Sequence, residues 1–265
     1  VSVIKIMFMS LLPDLMKICD NIVVECDARL VELFQRSFPG VEFLAVNNPD
    51  RIELGDRDPD FQIAMGSLGC WLWDQFEQRR KVPYLKADKD LTKNIKKAYG
   101  KRDGTHLIGL SWASPLGVFP GLKSLQLNDF APLFKIKNGL FVDLQYGDTA
   151  EERNEFQTLN GASILHDSDI DQLTDINTFS AQVAAMDFVF TVSNSVAHLA
   201  GALGVPTAVL LSSAPQWKWS GNRPDSMWYS DVQLVRRDYG ESVEKQISQG
   251  VNLLVKKLGD IQMLQ

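Results

Sequence analysis

The sequence predicts an α/β fold, with parallel strands covered by helices on both faces and the chain divided into two domains. Three observations carry this reading. Short apolar runs rich in Val, Ile and Phe alternate with longer amphipathic stretches. Several of those runs are continuous rather than alternating, as strands buried on both faces require. A polar stretch from Ala98 to Thr105, centred on Lys101, Arg102, Asp103 and Gly104, separates two such series and marks the domain boundary. The domains are therefore expected at residues 1–103 and 104–265.

In chain order, a helix is expected over 6–18, buried and kinked at Pro13, followed by a strand over 21–25 and a helix over 28–37. Strands at 41–46 and 61–65 follow, then an amphipathic helix over 89–99 that closes the first series. The second series opens with a strand at 107–112 and a helix at 127–134. It continues with a strand at 140–145 and helices at 150–159 and 179–186. Strands at 188–192, 207–211 and 232–235 alternate with helices at 196–203 and 241–258, and the alternation defines the class. No 20- to 50-residue repeat and no low-complexity tract interrupts the order.

Composition narrows the function classes. Of 265 residues, 45% are hydrophobic and 23% charged, a globular balance that excludes disorder, collagen and coiled coil. The 27 Lys and Arg stand against 33 Asp and Glu, a net charge of −6 that argues against a nucleic-acid or anionic-membrane surface. A small-molecule partner is expected. Three cysteines, Cys19, Cys26 and Cys70, are an odd number without CxxC spacing, which points to a reduced, cytoplasmic setting and away from zinc. The longest apolar stretch, 6–12, is far short of the roughly 20 residues a membrane span needs, and no signal-peptide layout is present. The sequence begins at Val1 with apolar residues, as if entered partway through an element.

The most informative segment runs from Asp187 to Leu211. A buried strand ends at Val192, three capping-type residues Ser193, Asn194 and Ser195 follow, and an apolar helix is stopped by Gly204 with Pro206 behind it before the next strand. In such a βαβ unit the loop leaving the strand sits at the carboxyl edge of the sheet, where amides at the helix start form an anion site. The same three residues also serve simply as a helix cap. His198, one turn into the helix, is either a crevice residue or a satisfied core histidine.

The strings DFVFTVSNSVAHLAGALGVPTAVLL and APQWKWSGNRPDSMWYSDVQLVRR resemble the carboxyl-terminal half of the heptosyltransferase-like glycosyltransferases of family 9 type, in the variety associated with tetratricopeptide repeat proteins. FVDLQYGDTAEE and LIGLSWAS are similar to further segments of that family, as is the run from Ile6 to Phe43 to its first helix and second strand. The resemblance implies two Rossmann-like domains facing across a cleft, the GT-B arrangement. The second domain would bind a nucleotide-diphosphate sugar, without metal or other cofactor. Carried over residue by residue, Ser193, Asn194, Ser195 and the amide of Val196 would hold the diphosphate with His198 beside it. Lys123 would neutralise phosphate, and Gln145, Tyr146, Gly147 and Asp148 would line the nucleotide side. The last helix is expected to pack back on the first domain.

Those residue types suit the chemistry, because breaking a glycosyl phosphate bond leaves negative charge that helix-start amides and one cation stabilise. Lys123 is alternatively a solvated surface lysine. Of Trp217, Trp219, Trp228 and Tyr229, only Trp217 is expected to touch ligand, since large aromatics are commonly core. Acidic pairs at Asp56–Asp58, Asp58–Asp60 and Asp169–Asp171 spell Asp-x-Asp but read as polar turns.

The pattern breaks at the amino terminus. The family's Gly-x-Gly-Asp-Glu turn, whose Asp resembles a general base, aligns with Val1, Ser2, Val3, Ile4 and Lys5. Ile4 accepts no proton, and losing a positioned base costs about 10²- to 10⁴-fold in rate. No catalytic residue is assigned. The sequence accommodates either a truncated chain lacking its first strand or a member that binds without transferring, a pseudo-glycosyltransferase or interaction module of a repeat-containing protein. An amino-terminal sheet without that strand would have an uncovered edge, open to compensation by another segment or a homodimer. The expected partners are thus a sugar nucleotide and an acceptor of unknown kind.

Overall fold

The computed structural model describes residues 3–46, 57–78, 81–114, 123–213, 216–219 and 221–259. Five parallel strands form the larger sheet: β3 (His106–Ser111), β4 (Gly139–Asp143), β5 (Phe188–Val192), β6 (Thr207–Leu211) and β7 (Val232–Arg236), in the order β4-β3-β5-β6-β7. Every residue of β5 and β6 is buried, which is why their sequences are unbroken apolar runs. Among the described residues the amino-terminal sheet has two parallel strands, β1 (Val23–Cys26) and β2 (Glu42–Ala45), with Val23 opposite Glu42.

The helices are α1 (Val3–Phe8), α2 (Leu12–Leu15), α3 (Val31–Ser37), α4 (Gly69–Gln78), α5 (Lys89–Ala98), α6 (Ala150–Asn160), α7 (Ile176–Ala185), α8 (Ser195–Leu203) and α9 (Val243–Leu258). Their ends follow local chemistry. Asp88 accepts from the Asp90 and Leu91 amides at the start of α5, Asp175 from Thr178 before α7, and Ser242 from Lys245 before α9. Gly204 ends α8 at φ 77°, and a Cβ there would also lie 2.9 Å from Pro83 Cβ, so backbone and packing both call for glycine.

Two apolar cores lie on the two faces of the large sheet. One holds Trp112, Phe130, Phe156, Phe190 and Ile247 beneath α9 and a 3₁₀ helix over Leu127–Lys135. The other is continuous from Ile6 and Phe34 of the amino-terminal part to Val196, Val209 and Leu234 of the large sheet. Helix α1 packs on α8, and α3 and α5 pack on α7. Polar contacts fasten the same seam: Tyr84 donates to the Ile6 carbonyl at 2.9 Å, and the Tyr84 amide to the Ala202 carbonyl at 3.0 Å. With about 1.5–3 kcal/mol for each large side chain buried, this shared core joins the two parts as one packed body.

The structure departs from the sequence reading at several elements. Residues 61–65 form no strand: Phe61 is 92% exposed and 61–64 run without regular structure, because an alternating pattern still needs a neighbouring strand to bond. The single helix over 6–18 is three pieces, α1, a 3₁₀ turn over Met9–Leu11, and α2 with Pro13 in its first turn. Helix α4 was not foreseen; Leu68 just before it and Leu72 within it are buried, and α4 packs on α2. Through Leu258, α9 packs on the Leu127–Lys135 helix, β6 and β7. Among the described residues no helix is long and apolar enough to cross a membrane.

Candidate functional site

From β3 the chain moves outward to β4, then returns to place β5 on the other flank of β3. Strand order therefore reverses between β3 and β5. At such a switch point the connections leave in opposite directions and open a crevice beyond the carboxyl ends, here Ser111 and Val192. The Ser193–Ser195 turn sits at that point.

The floor of the crevice is a closed hydrogen-bond network. The Asn194 side chain accepts from the Val196 amide at 3.0 Å, capping α8, and donates to Ser111 Oγ at 2.7 Å and the Ala113 carbonyl at 3.1 Å, tying the β5 loop to the β3 loop. Gln145 Oε1 accepts from Ser111 Oγ at 3.0 Å and from the Ala113 amide at 2.8 Å. Asn194 and Gln145 are 4% and 3% exposed. Beneath them, buried Asp143 accepts from the Gln145 amide, from Thr149 Oγ1 at 2.5 Å and from Arg153 at 3.2 Å, and lies 3.1 Å from His166 Nδ1. Burial pushes the Asp143 carboxyl up, against the pull of those donors.

The rim is different in kind. Ser195 is partly exposed at the first position of α8. Lys123 and Lys218 are half-buried, and no carboxylate among the described residues pairs with either. Burial, aided by the positive charge of Lys123, lowers the Lys218 ammonium to about 8. Arg237 joins Lys123, Ser212 and Gln246 around a small hollow at the ends of β5 and β6. On the β4 side, Tyr146 is half-buried, while Gly147, at φ 97°, and Asp148 are exposed; Asp148 accepts from the Ala150 amide at 3.0 Å. Burial raises the Tyr146 phenol, opposed by its hydrogen bond with Ser114.

Of the residues singled out from sequence, Ser193, Asn194, Ser195 and Gln145 lie at the ends of β3, β4 and β5 and Lys123 lines the hollow at the ends of β5 and β6, and the structure corrects several roles. The Val196 amide is taken by the Asn194 cap and Val196 is fully buried, so it is no free anion donor. Asn194 and Gln145 spend their polar atoms on the floor. Ser193 Oγ accepts from Trp219 Nε1 at 2.7 Å and lies 3.1 Å from Gln216 Oε1, so it anchors the 216–219 segment. His198 is 0% exposed: its ring stacks on Trp219 with centroids 4.6 Å apart, and Nδ1 lies 2.8 Å from the Tyr229 hydroxyl. Burial holds it well below the ordinary imidazole range, as a neutral core histidine.

Trp219, Trp228 and Tyr229 are likewise buried, whereas Trp217 is 63% exposed. Lys218 and Arg237 escaped the sequence reading; the cation between the two tryptophans of WKW was the available signal for the first. Ile4 lies within α1, half-exposed, rather than in a turn before it; Val1 and Ser2 fall outside the described residues. Asp14 is buried against Lys17 at 2.8 Å and offers no substitute base. The acidic pairs read as turns: Asp171 accepts from the Leu173 and Thr174 amides, Asp58 and Asp60 are exposed, and Asp56 lies outside the described residues. Among the described residues no group of three or more His, Cys, Asp or Glu is placed to hold a metal.

No protein-family model matches the chain. It is 27% identical over 257 residues to Protein FlbA of Caulobacter vibrioides, a match covering 89% of this chain and 42% of that protein, so the chain spans well under half of that relative's length. Among solved structures, a glycosyl transferase family 9 protein from Veillonella parvula aligns with TM-score 0.64 and 12% identity over 95% of this chain and 94% of that one. The E. coli ADP-heptose LPS heptosyltransferase II aligns with TM-score 0.50 and 16% identity over 68% of this chain and 55% of that one. The chain has the α/β fold of these glycosyltransferase structures.

Proposed function

We propose that the crevice binds a nucleotide-diphosphate sugar and that the protein transfers the sugar to a hydroxyl of an acceptor. The carrying observation is the partly exposed start of α8 at Ser195, just past the end of β5, with half-buried Lys123 lining the adjoining hollow at the ends of β5 and β6 and half-buried Lys218 on the turn that Trp219 bonds to Ser193. A partly desolvated cation is costly alone and favourable once an anion sits beside it. A diphosphate supplies that anion, and the Ser195 amide at the start of α8 adds a donor. In this reading Tyr146, Gly147 and Asp148 border the nucleoside, with the free edge of the Asp148 carboxylate available to hydroxyl groups.

The chemistry follows from charge. As the glycosyl bond breaks, negative charge grows on the departing diphosphate, and Lys123 and Lys218 stabilise it without requiring a metal. Calorimetry with UDP-glucose, GDP-mannose and ADP-glucose tests the reading: one of them is expected to bind to the wild type and to lose affinity in Lys123→Ala and Lys218→Ala. Failure of all three to bind would refute it.

A second reading, binding without transfer, is favoured by one observation: apolar Ile4 occupies the position where the resemblance places the general base. Turnover of the bound sugar nucleotide in the presence of candidate acceptors separates the two readings.

A further inference from the structure

Two tryptophans expose most of their surface, Trp71 at 77% on α4 and Trp217. Phe61 and Tyr239 are 92% and 97% exposed on irregular segments. Trp217 is 63% exposed on a short 3₁₀ turn, Trp217–Trp219, that is fastened on every side. Trp219 Nε1 donates to Ser193 Oγ at 2.7 Å, the Trp219 carbonyl accepts from Arg236 at 2.7 Å, and the Lys218 carbonyl accepts from Trp228 Nε1 at 2.9 Å. Phe8 of α1 lies against the Trp217 ring, centroids 6.3 Å apart and planes 26° from parallel. The turn that carries the indole is therefore tied to Ser193 at the end of β5, and the Trp217 ring, packed against Phe8 on one side, leaves much of its surface uncovered next to Lys218 in sequence.

We propose that the uncovered surface of Trp217 is the stacking floor for the transferred sugar ring, so that the ligand it takes is a pyranosyl group carried on a nucleoside diphosphate. This rests on the donor reading above and adds which moiety the indole meets. The geometry favours the sugar over the base. The phosphates belong at the switch point of the large sheet, and the group to be transferred must lie between them and the amino-terminal part that faces it. Trp217 is on that border, in contact with Phe8, whereas the β4 loop borders the corner from the other side. The C–H face of a pyranose carries partial positive charge that matches the negative face of an indole, and a fixed ring loses little freedom on binding.

The test compares matched ligands on Trp217→Ala and Trp217→Phe: UDP against UDP-glucose, GDP against GDP-mannose, and ADP against ADP-glucose, by calorimetry. For the pair that binds, Trp217→Ala is expected to lose about tenfold in affinity for the sugar nucleotide and to keep its affinity for the nucleoside diphosphate, with Trp217→Phe recovering most of the loss. Equal losses for both ligands would place the indole on the nucleoside and overturn the proposal. No loss for either would overturn it too, while leaving the donor reading intact. Absence of any nucleotide binding by the wild type would overturn both.

Discussion

The floor and the rim of the crevice are built from neighbouring residues yet obey opposite rules. Asn194, Gln145 and Asp143 are buried and spend their polar atoms on one another and on the ends of β3, β4 and β5. Lys123, Lys218 and Trp217, on connections that leave the same carboxyl edge of the sheet, keep charge or aromatic surface uncommitted. Positioning demands satisfied, desolvated groups, and binding demands unsatisfied ones. A turn of three small polar residues can serve both only by dividing them, with Asn194 facing inward and Ser195 outward.

The largest test of that division is Asn194→Ala. It removes the cap of α8 and the donor that serves the Ala113 carbonyl and Ser111 Oγ, so unfolding stability should fall by about 2–4 kcal/mol in denaturant titration. An unchanged midpoint would mean that the floor does not hold the crevice together. On the rim, Lys123→Ala should leave stability within about 0.5 kcal/mol while weakening nucleoside diphosphate binding about 10- to 100-fold and leaving nucleoside binding unaltered. Equal weakening of both ligands would remove Lys123 from the phosphates.

Ser195→Pro sharpens the comparison because it separates amide from fold. Ser195 is the first residue of α8, where proline fits, and Asn194 before it is extended at φ −138° and ψ −167°, as a residue preceding proline must be. The variant should fold normally and lose about five- to tenfold in diphosphate affinity; full affinity would place the anion elsewhere. The smallest effect is that of pH. Lys218 is held near 8, so it is charged below that value and neutral above it, and anion binding needs the charged form. Affinity measured from pH 7 to 9 should decline several-fold, and Lys218→Arg should flatten the profile. A flat profile in the wild type would exclude Lys218 from the site.

The βαβ unit from Phe188 to Leu211 was legible because each of its signals is local: β-branched runs, a capping turn, and Gly204 before Pro206. The 61–65 segment was misread because its alternation resembles a strand, and only a bonding neighbour makes one. Helix α4 went unread although Leu68 and Leu72 mark its buried side. His198 was open to two roles because a helical wheel that is apolar nearly all round does not say which side meets a ligand; contact with Trp219 and Tyr229 decided it.

By itself the chain determined its class, most of its strands and the turn at which a crevice would open, since these depend on periodicity and on residues within a few positions of one another. Only the tertiary structure decided which polar groups in that turn are consumed and which remain free. Hydrogen bonds such as those from Asn194 to Ser111 and to the Ala113 carbonyl join residues 83 and 81 positions apart, and no local pattern encodes who will stand opposite whom.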